Sequence, residues 1–145
     1  MTKSQKISLF LLRISIGWVF LYAGISKVAK GNWSAAGYLK GAKTFPELFQ
    51  WFASPGVLPV VNFLNEYGQI LIGISLILGI LVRYSSISGV LMMALYYFAV
   101  LQFPKIGANS YIVDDHVIYA LALLVLFAMR AGRAYGLEGK IIKLE

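Results

Sequence analysis

The pattern of apolar and polar positions divides the chain into four long apolar runs joined by polar segments. The runs cover residues 7–28, 60–82, 84–103 and 112–129. Each is close to the ~20 residues that a helix needs to cross the hydrocarbon core of a bilayer. Only helices and closed barrels satisfy the backbone in lipid, and these runs are far too long for barrel strands. The pattern therefore predicts an all-α fold, a four-helix transmembrane bundle that forms one domain over residues 1–145.

The connections between the runs differ in length and character. The second and third runs meet almost directly at Arg83, which predicts a tight helical hairpin, and a turn over residues 104–111 joins the third and fourth. In the long first loop, Thr44 and Glu47 have the spacing of a helix-capping box. The residues that then share one helical face are Phe45, Leu48, Phe49 and Phe52. This loop predicts an amphipathic helix at the membrane interface, which also fits a lid over the mouth of the bundle.

Composition agrees with a bilayer protein. Apolar residues make up 59% of the chain and charged residues 13%, whereas soluble domains have about 45–50% and about 25%. The net charge of +7 is dispersed near the ends of the runs, where it meets lipid headgroups, so we predict a lipid bilayer as partner and no nucleic acid. The chain has no cysteine and one histidine, which excludes disulfides, thiolate metal sites and a bis-histidine haem within one chain. We predict no metal site.

The basic residues also indicate an orientation. If the N-terminus is inside, seven basic residues flank the runs on the cytoplasmic side and five on the outer side, which favours cytoplasmic termini. The first run is too long for the core of a signal peptide, so we interpret it as a retained anchor.

Polar side chains converge at the outer ends of these runs. Lys27 ends the first run, Glu66 lies six residues into the second, and three polar residues begin the fourth: Asp114, Asp115 and His116. Charges in or beside hydrocarbon are costly and usually line cavities, pair with partners or do chemistry. On the second helix, helical spacing predicts one stripe of Asn62, Glu66, Gln69 and Gly73. The glycines of the first helix predict close approach of a neighbouring helix.

This outer layer has the residues to bind and protonate a polar head group. A carboxyl in a low dielectric keeps its proton unless a cation compensates, and Lys27 is placed to compensate Glu66. We predict a catalytic set of Glu66, Asp115 and His116, with His116 as a proton shuttle. The predicted substrate-binding residues are Lys27, Asn62, Gln69, Gln102, Asp114 and Tyr119.

Simpler interpretations stay open for several of these residues. Lys27 and Asp114 also fit ordinary positions at the interface, and an acidic residue at a helix N-terminus is favoured by the helix dipole. His116 also fits a hydrogen-bonded structural residue. Arg13 lies ~21 Å from Lys27 along the same helix, and we expect it to reach the inner surface or to bind carbonyl groups there.

Several ordered stretches carry a family resemblance. They are LRISIGWVFLYAGISK at residues 12–27, AAGYL at 35–39, GQILIGISLILG at 68–79, the pair Asp115-His116, and AGRAYGLE at 131–138. With these stretches the chain resembles the DoxX/DoxD family of small four-helix membrane proteins over nearly its whole length. The family often has Gly-Glu where this chain has Gly68-Gln69, and Glu66 is expected to replace that carboxylate.

The resemblance implies a function at the membrane. The DoxD branch is associated with thiosulfate:quinone oxidoreductase, in which a membrane subunit works with a second, smaller subunit. It implies an integral protein of a prokaryotic cell membrane, quinone as cofactor, thiosulfate or a related reductant at the outer face, and a second small subunit or a homo-oligomer as partner. The alternative is a non-enzymatic membrane scaffold, assembly factor or small-solute carrier, and the sequence leaves both interpretations open.

Overall fold

The computed structural model describes residues 1–141 and is mostly helical. The first helix, α1 (Lys3–Lys30), begins at Thr2, whose side chain accepts a hydrogen bond from the backbone N–H of Gln5. It ends at Gly31, which adopts the left-handed conformation with φ of 68°. Glycine enters that conformation without the penalty of a Cβ, so it is the usual residue at a helix end.

A second long helix covers Leu58–Leu78 and contains an irregular turn. Its first part is α4 (Leu58–Phe63), and its last part is α5 (Gln69–Leu78). Between them, Leu64–Gly68 forms a π turn. A π turn bonds each N–H to the carbonyl five residues earlier, and it often marks a functional site.

The third long helix, α6 (Val82–Val100), follows α5 after only residues 79–81. Gly79 ends α5 with φ of 69°, and Leu81 then starts α6 from a left-handed conformation. The predicted junction at Arg83 is therefore wrong by a few residues, because Arg83 already lies in the first turn of α6. The tight helical hairpin itself is present.

The remaining elements complete the C-terminal half. After α6, a small antiparallel hairpin of β1 (Lys105–Gly107) and β2 (Ser110–Tyr111) occupies the stretch predicted as a turn. Helix α7 (Asp115–Ala128) follows, and then a 3₁₀ turn at Ala131–Arg133 and the short α8 (Leu137–Ile141).

The helices pack in two close pairs, α1 with α5 and α6 with α7. Small residues allow the first pair to meet at backbone contact, since a Cβ on Gly73 would lie 2.5 Å from the backbone nitrogen of Leu21. This confirms the prediction that glycines permit close approach. A buried cluster between the pairs includes Phe20, Leu76, Leu123 and Leu126.

The long first loop forms α2 (Ala36–Lys40) and α3 (Pro46–Phe52), which pack over one end of α6. The predicted capping box is wrong: α3 begins at Pro46, and the hydroxyl of Thr44 donates instead to the carbonyl of Leu101. Of the predicted apolar face, Phe49 is buried at 2% exposure while Phe45 is 59% exposed. The proline at the start of α3 fixes the helical φ and has no N–H that needs a partner.

Two helices of the described chain, Lys3–Lys30 and Leu58–Leu78, are long and apolar enough to cross a membrane. Helix α7 is a shorter apolar helix of 14 residues, or ~21 Å at the helical rise per residue.

Candidate functional site

Lys27 makes the central polar contact at the end of the bundle where α1 finishes. Its ammonium donates a hydrogen bond of 2.6 Å to the side-chain oxygen Oε1 of Gln69. Gln69 is the first residue of α5 and only 3% exposed, and Lys27 is partly buried. Gly24, almost one turn before Lys27, brings the helices together here, since a Cβ on it would lie 2.7 Å from the carbonyl oxygen of Glu66.

Two aromatic rings flank the Lys27 ammonium. Its Nζ lies 5.2 Å from the ring centroid of Trp33 and 6.0 Å from that of Tyr96, which is the range of cation–π attraction. Trp33 comes from the loop before α2, and Tyr96 comes from α6. These residues line a cavity of about 220 Å³, which we call the polar pocket; its other lining residues are Tyr38, Leu39, Asn65, Ala99 and Val100.

The π turn places Asn65 at the polar pocket. The amide of Asn65 donates to the carbonyl of Val61 at 2.8 Å, and its Oδ1 accepts the hydroxyl of Tyr96. The sequence stripe assumed uninterrupted helical periodicity, so it included Asn62 and Glu66 and missed Asn65. A wider turn shifts the faces of the residues before it relative to those after it. The sequence offered one signal for Asn65: it is a polar residue within a predicted membrane span.

An apolar groove adjoins the polar pocket. It has a volume of about 470 Å³ and lies between α3, the helix Leu58–Leu78 and α6. Four residues line both spaces: Leu39, Asn65, Tyr96 and Ala99. Most of the groove's other lining residues are aliphatic or aromatic, so the site as a whole has a polar end and an apolar end.

His116 and Asp114 form a second polar group beside Tyr96. Asp114 caps α7 by accepting hydrogen bonds from the backbone N–H groups of His116 and Val117. Its other oxygen lies 2.6 Å from Nδ1 of His116. The imidazole packs edge-to-face on Tyr96, with 6.2 Å between the ring centroids. The ring of Tyr96 is therefore close both to this pair and to the Lys27 ammonium.

Lys27 and Glu66 do not form the expected ion pair. Within residues 1–141, the contact within 4.0 Å between a basic and an acidic side chain joins His116 to Asp114. Glu66 is partly buried. It is not among the residues that line the two cavities. Gln69 takes the contact with Lys27 instead, since it lies on α5 just after the π turn.

The other predicted site residues lie apart from Lys27. Asn62 accepts a hydrogen bond from the backbone of Ala35 at 2.9 Å, which ties the second long helix to the start of α2. Gln102 and Asp115 are exposed. Tyr119 packs against the buried cluster of the bundle. The expected single layer is therefore divided: Lys27, which contacts Gln69, lines the polar pocket, and the catalytic set proposed from the sequence does not.

Arg13 lies at the other end of the bundle and is fully buried. Its Nη2 donates a hydrogen bond of 3.3 Å to the carbonyl of Ala134. This confirms the expectation that Arg13 binds carbonyl groups. A Cβ on Gly79 would lie 1.7 Å from Nη1 of this guanidinium. At the same end of the bundle, the side chain of Glu138 accepts a hydrogen bond of 2.8 Å from the backbone N–H of Val82. The C-terminal segment thereby connects α1 at Arg13 with the end of α5 and the start of α6.

The arrangement is suited to hold a flat, hydrogen-bond-accepting head group. Lys27 has three N–H donors, and among residues 1–141 its one hydrogen-bond acceptor is Gln69. The rings of Trp33 and Tyr96 supply two aromatic surfaces. No three His, Asp or Glu side chains in the described part of the chain come close enough to hold a metal ion.

Comparison with known proteins identifies the family. No curated protein and no solved structure gives a significant match to the chain. The sequence model of the DoxX family matches residues 8–102, which is more than half of the chain and includes Lys27, Trp33, Asn65, Gln69 and Tyr96. The DoxD-type branch is not distinguished by this match. The chain therefore belongs to the DoxX family of membrane proteins.

Proposed function

We propose that this protein is the membrane subunit of a quinone-linked oxidoreductase and that the polar pocket receives the quinone head group. The observation that carries the proposal is the Lys27 ammonium, held 2.6 Å from Gln69 and flanked by two aromatic rings at the edge of a cavity. A charge of this kind in a membrane protein usually serves a ligand or a transport path. No contact in the described residues favours the alternative, a scaffold or carrier, in the way that the Lys27 contacts favour a ligand site.

The proposal includes a four-helix transmembrane bundle. Its spans are α1, the helix Leu58–Leu78, α6 and α7, with both termini in the cytoplasm and the polar pocket near the outer surface. Large apolar side chains on the outward faces support this placement, for example Trp18, Tyr22, Leu71 and Leu91, which are 59–66% exposed. Exposed apolar surface of this extent is stable when lipid covers it.

The residues of the polar pocket match the chemistry of a quinone ring. A quinone carries two carbonyl oxygens on a flat ring, and when bound it accepts two electrons and two protons. The remaining N–H donors of Lys27 would bind one carbonyl oxygen, and a charge-assisted hydrogen bond in a water-poor site is stronger than a neutral one. Trp33 and Tyr96 would orient the ring by stacking and edge contacts.

The proposal also assigns the supply of protons and electrons. Glu66, Asp115 and His116 remain the proposed proton carriers between the outer surface and the pocket, and Tyr96 lies close to both His116 and Lys27. The electrons would come from a small anionic reductant such as thiosulfate, bound at the outer side together with a second small subunit. The exposed Lys30, Lys43 and Lys105 lie at the same end as the pocket and would attract such an anion.

Quinone binding to Lys27 variants tests the proposal. The purified protein in detergent is titrated with ubiquinone and menaquinone analogues, and quenching of tryptophan fluorescence reports binding near Trp33. Losing one charge-assisted hydrogen bond costs about 1.5–3 kcal/mol, so Lys27→Met is expected to weaken binding by about 10- to 150-fold. Lys30→Met is the matched control, because Lys30 is exposed in the same turn of α1.

The outcomes separate the two functional interpretations. Selective weakening in Lys27→Met supports the quinone site. Equal affinity in the wild type and both variants removes Lys27 from the site. No binding of any quinone, and no quinone reduction with a panel of sulfur reductants in the presence of candidate partner subunits, refutes the proposal and favours the non-enzymatic module.

A further inference from the structure

The polar pocket and the apolar groove adjoin each other. Asn65 and Tyr96 line both, and their hydrogen bond stands at the boundary. The polar side holds the Lys27 ammonium, and the groove side leads away between the second long helix and α6. A head group alone would not require the second space, which is the larger of the two at about 470 Å³ against about 220 Å³.

The rim of the groove is apolar and exposed. Leu64, Leu71 and Leu91 line the groove and are 53%, 66% and 61% exposed. The first two lie on the second long helix, and Leu91 lies on α6. In a bilayer these side chains would face acyl chains, so the groove opens sideways into lipid rather than toward water.

We infer that the ligand of this site is a chain-bearing amphiphile whose apolar tail lies along the groove while its head group occupies the polar pocket. The inference rests on the proposed function and adds to it that the tail is recognised by the protein. The ligand then enters sideways from the bilayer between the second long helix and α6. Affinity depends on the tail because each buried methylene adds favourable free energy.

Gly68 offers a way to close the groove without disturbing the polar pocket. It lines the groove at the end of the π turn, and it does not line the pocket. A Cβ there would lie 3.7 Å from Cε of Met92, which is ordinary van der Waals contact. Gly68→Leu therefore introduces a side chain into the groove, and its helical backbone conformation accepts leucine better than glycine.

The test compares two quinones with the same ring, one without a tail and one with a decyl tail. Their affinities are measured by fluorescence quenching for Gly68→Leu and for the matched control Gly37→Leu, since Gly37 is exposed with no atom within 4 Å of its Cβ position. The decyl compound partitions into detergent to the same extent in both assays, so partitioning does not affect the comparison between the two variants. Excluding only two methylenes from the groove lowers the preference for the tail by roughly tenfold, and we expect at least this loss in Gly68→Leu.

The outcomes distinguish failure of this inference from failure of the proposed function. A loss of tail preference in Gly68→Leu, with binding of the tailless quinone unchanged, supports the groove. An unchanged preference, or equal weakening for both quinones, overturns it while leaving quinone binding intact. If neither quinone binds, the proposed function fails. The groove is then tested by photolabelling with a decyl chain that carries a diazirine. Labelling of Leu91 and Met92 that is as strong in Gly68→Leu as in the wild type overturns the inference.

Discussion

Gly24 sets the distance between α1 and the helix that carries Gln69, so Gly24→Ala perturbs the site through packing alone. A Cβ at this position lies 2.7 Å from the carbonyl oxygen of Glu66 and 2.7 Å from a side-chain carbon of Ile70, whereas ordinary contact begins at 3.4 Å. Relieving the clash moves the helices apart locally by about 0.7 Å. The 2.6 Å contact from Lys27 to Gln69 would then stretch to roughly 3.3 Å, beyond the 2.7–2.9 Å usual for charge-assisted hydrogen bonds.

The expected consequences are a modest loss of stability and a larger loss of function. Overpacking costs about 1–3 kcal/mol, and the better helix propensity of alanine offsets up to about 1 kcal/mol of it. The displaced ammonium would also lose about half of its proposed hydrogen bond to the quinone carbonyl, which would contribute about 1.5–3 kcal/mol, so quinone binding would weaken by roughly three- to tenfold. Thermal unfolding in detergent measures the first effect, and fluorescence quenching by quinone measures the second.

Gly17→Ala is the matched control for Gly24→Ala. Gly17 lies on the same helix and packs against the same partner, with a Cβ 2.9 Å from Ile77 and 3.1 Å from the carbonyl of Gly73. It is ten residues, or ~15 Å along the helix, from Lys27. We expect it to lower stability but not quinone affinity. Equal loss of affinity in both variants, or no loss in Gly24→Ala, would refute the link from glycine packing to the Lys27–Gln69 contact.

Three further substitutions test other parts of the structure. Asp114→Ala removes the N-cap of α7 and should lower the free energy of unfolding by about 0.5–2 kcal/mol. Its control, Asp115→Ala at an exposed position, should change this free energy by less than about 0.5 kcal/mol. Equal effects of the two substitutions in chemical denaturation would contradict the capping role. Gly79→Ala should cost at least about 1–2 kcal/mol, because φ is +69° and its Cβ would meet Arg13, and an unchanged melting temperature would contradict this. Tyr96→Phe should keep the ring beside Lys27 but lose the hydrogen bond that the hydroxyl donates to Asn65, which should lower the free energy of unfolding by about 0.5–1.5 kcal/mol; an unchanged midpoint in a denaturant titration would contradict this.

The long helices were predictable because the apolar runs are long and strongly patterned. The close approach of α1 and α5 was also predictable, since glycines recur on the faces that meet. The helix junction after α5 was displaced because apolar composition continues through residues 79–81, so the run gives no sign of a break except Gly79. The hairpin at residues 105–111 is too short to leave a pattern of alternation.

The composition of the site was predictable only in part. Lys27 and Gln69 stood out as polar residues in apolar surroundings, and the structure brings them into contact. The choice of Glu66 as the partner of Lys27 depended on regular helical spacing, and the π turn breaks that spacing. Trp33 was missed because it lies in a loop, and its contact with Lys27 depends on how that loop folds over the bundle.

The central claim is that a quinone ring lies in the polar pocket beside Lys27. Photolabelling with an azido-substituted quinone, followed by mass-spectrometric mapping of the modified residues, tests it most directly. Labels on Trp33, Leu39 and Tyr96 that fall in Lys27→Met are the expected result. Labels confined to the outward face of α1, at Trp18 and Tyr22, with equal intensity in Lys27→Met, would contradict it.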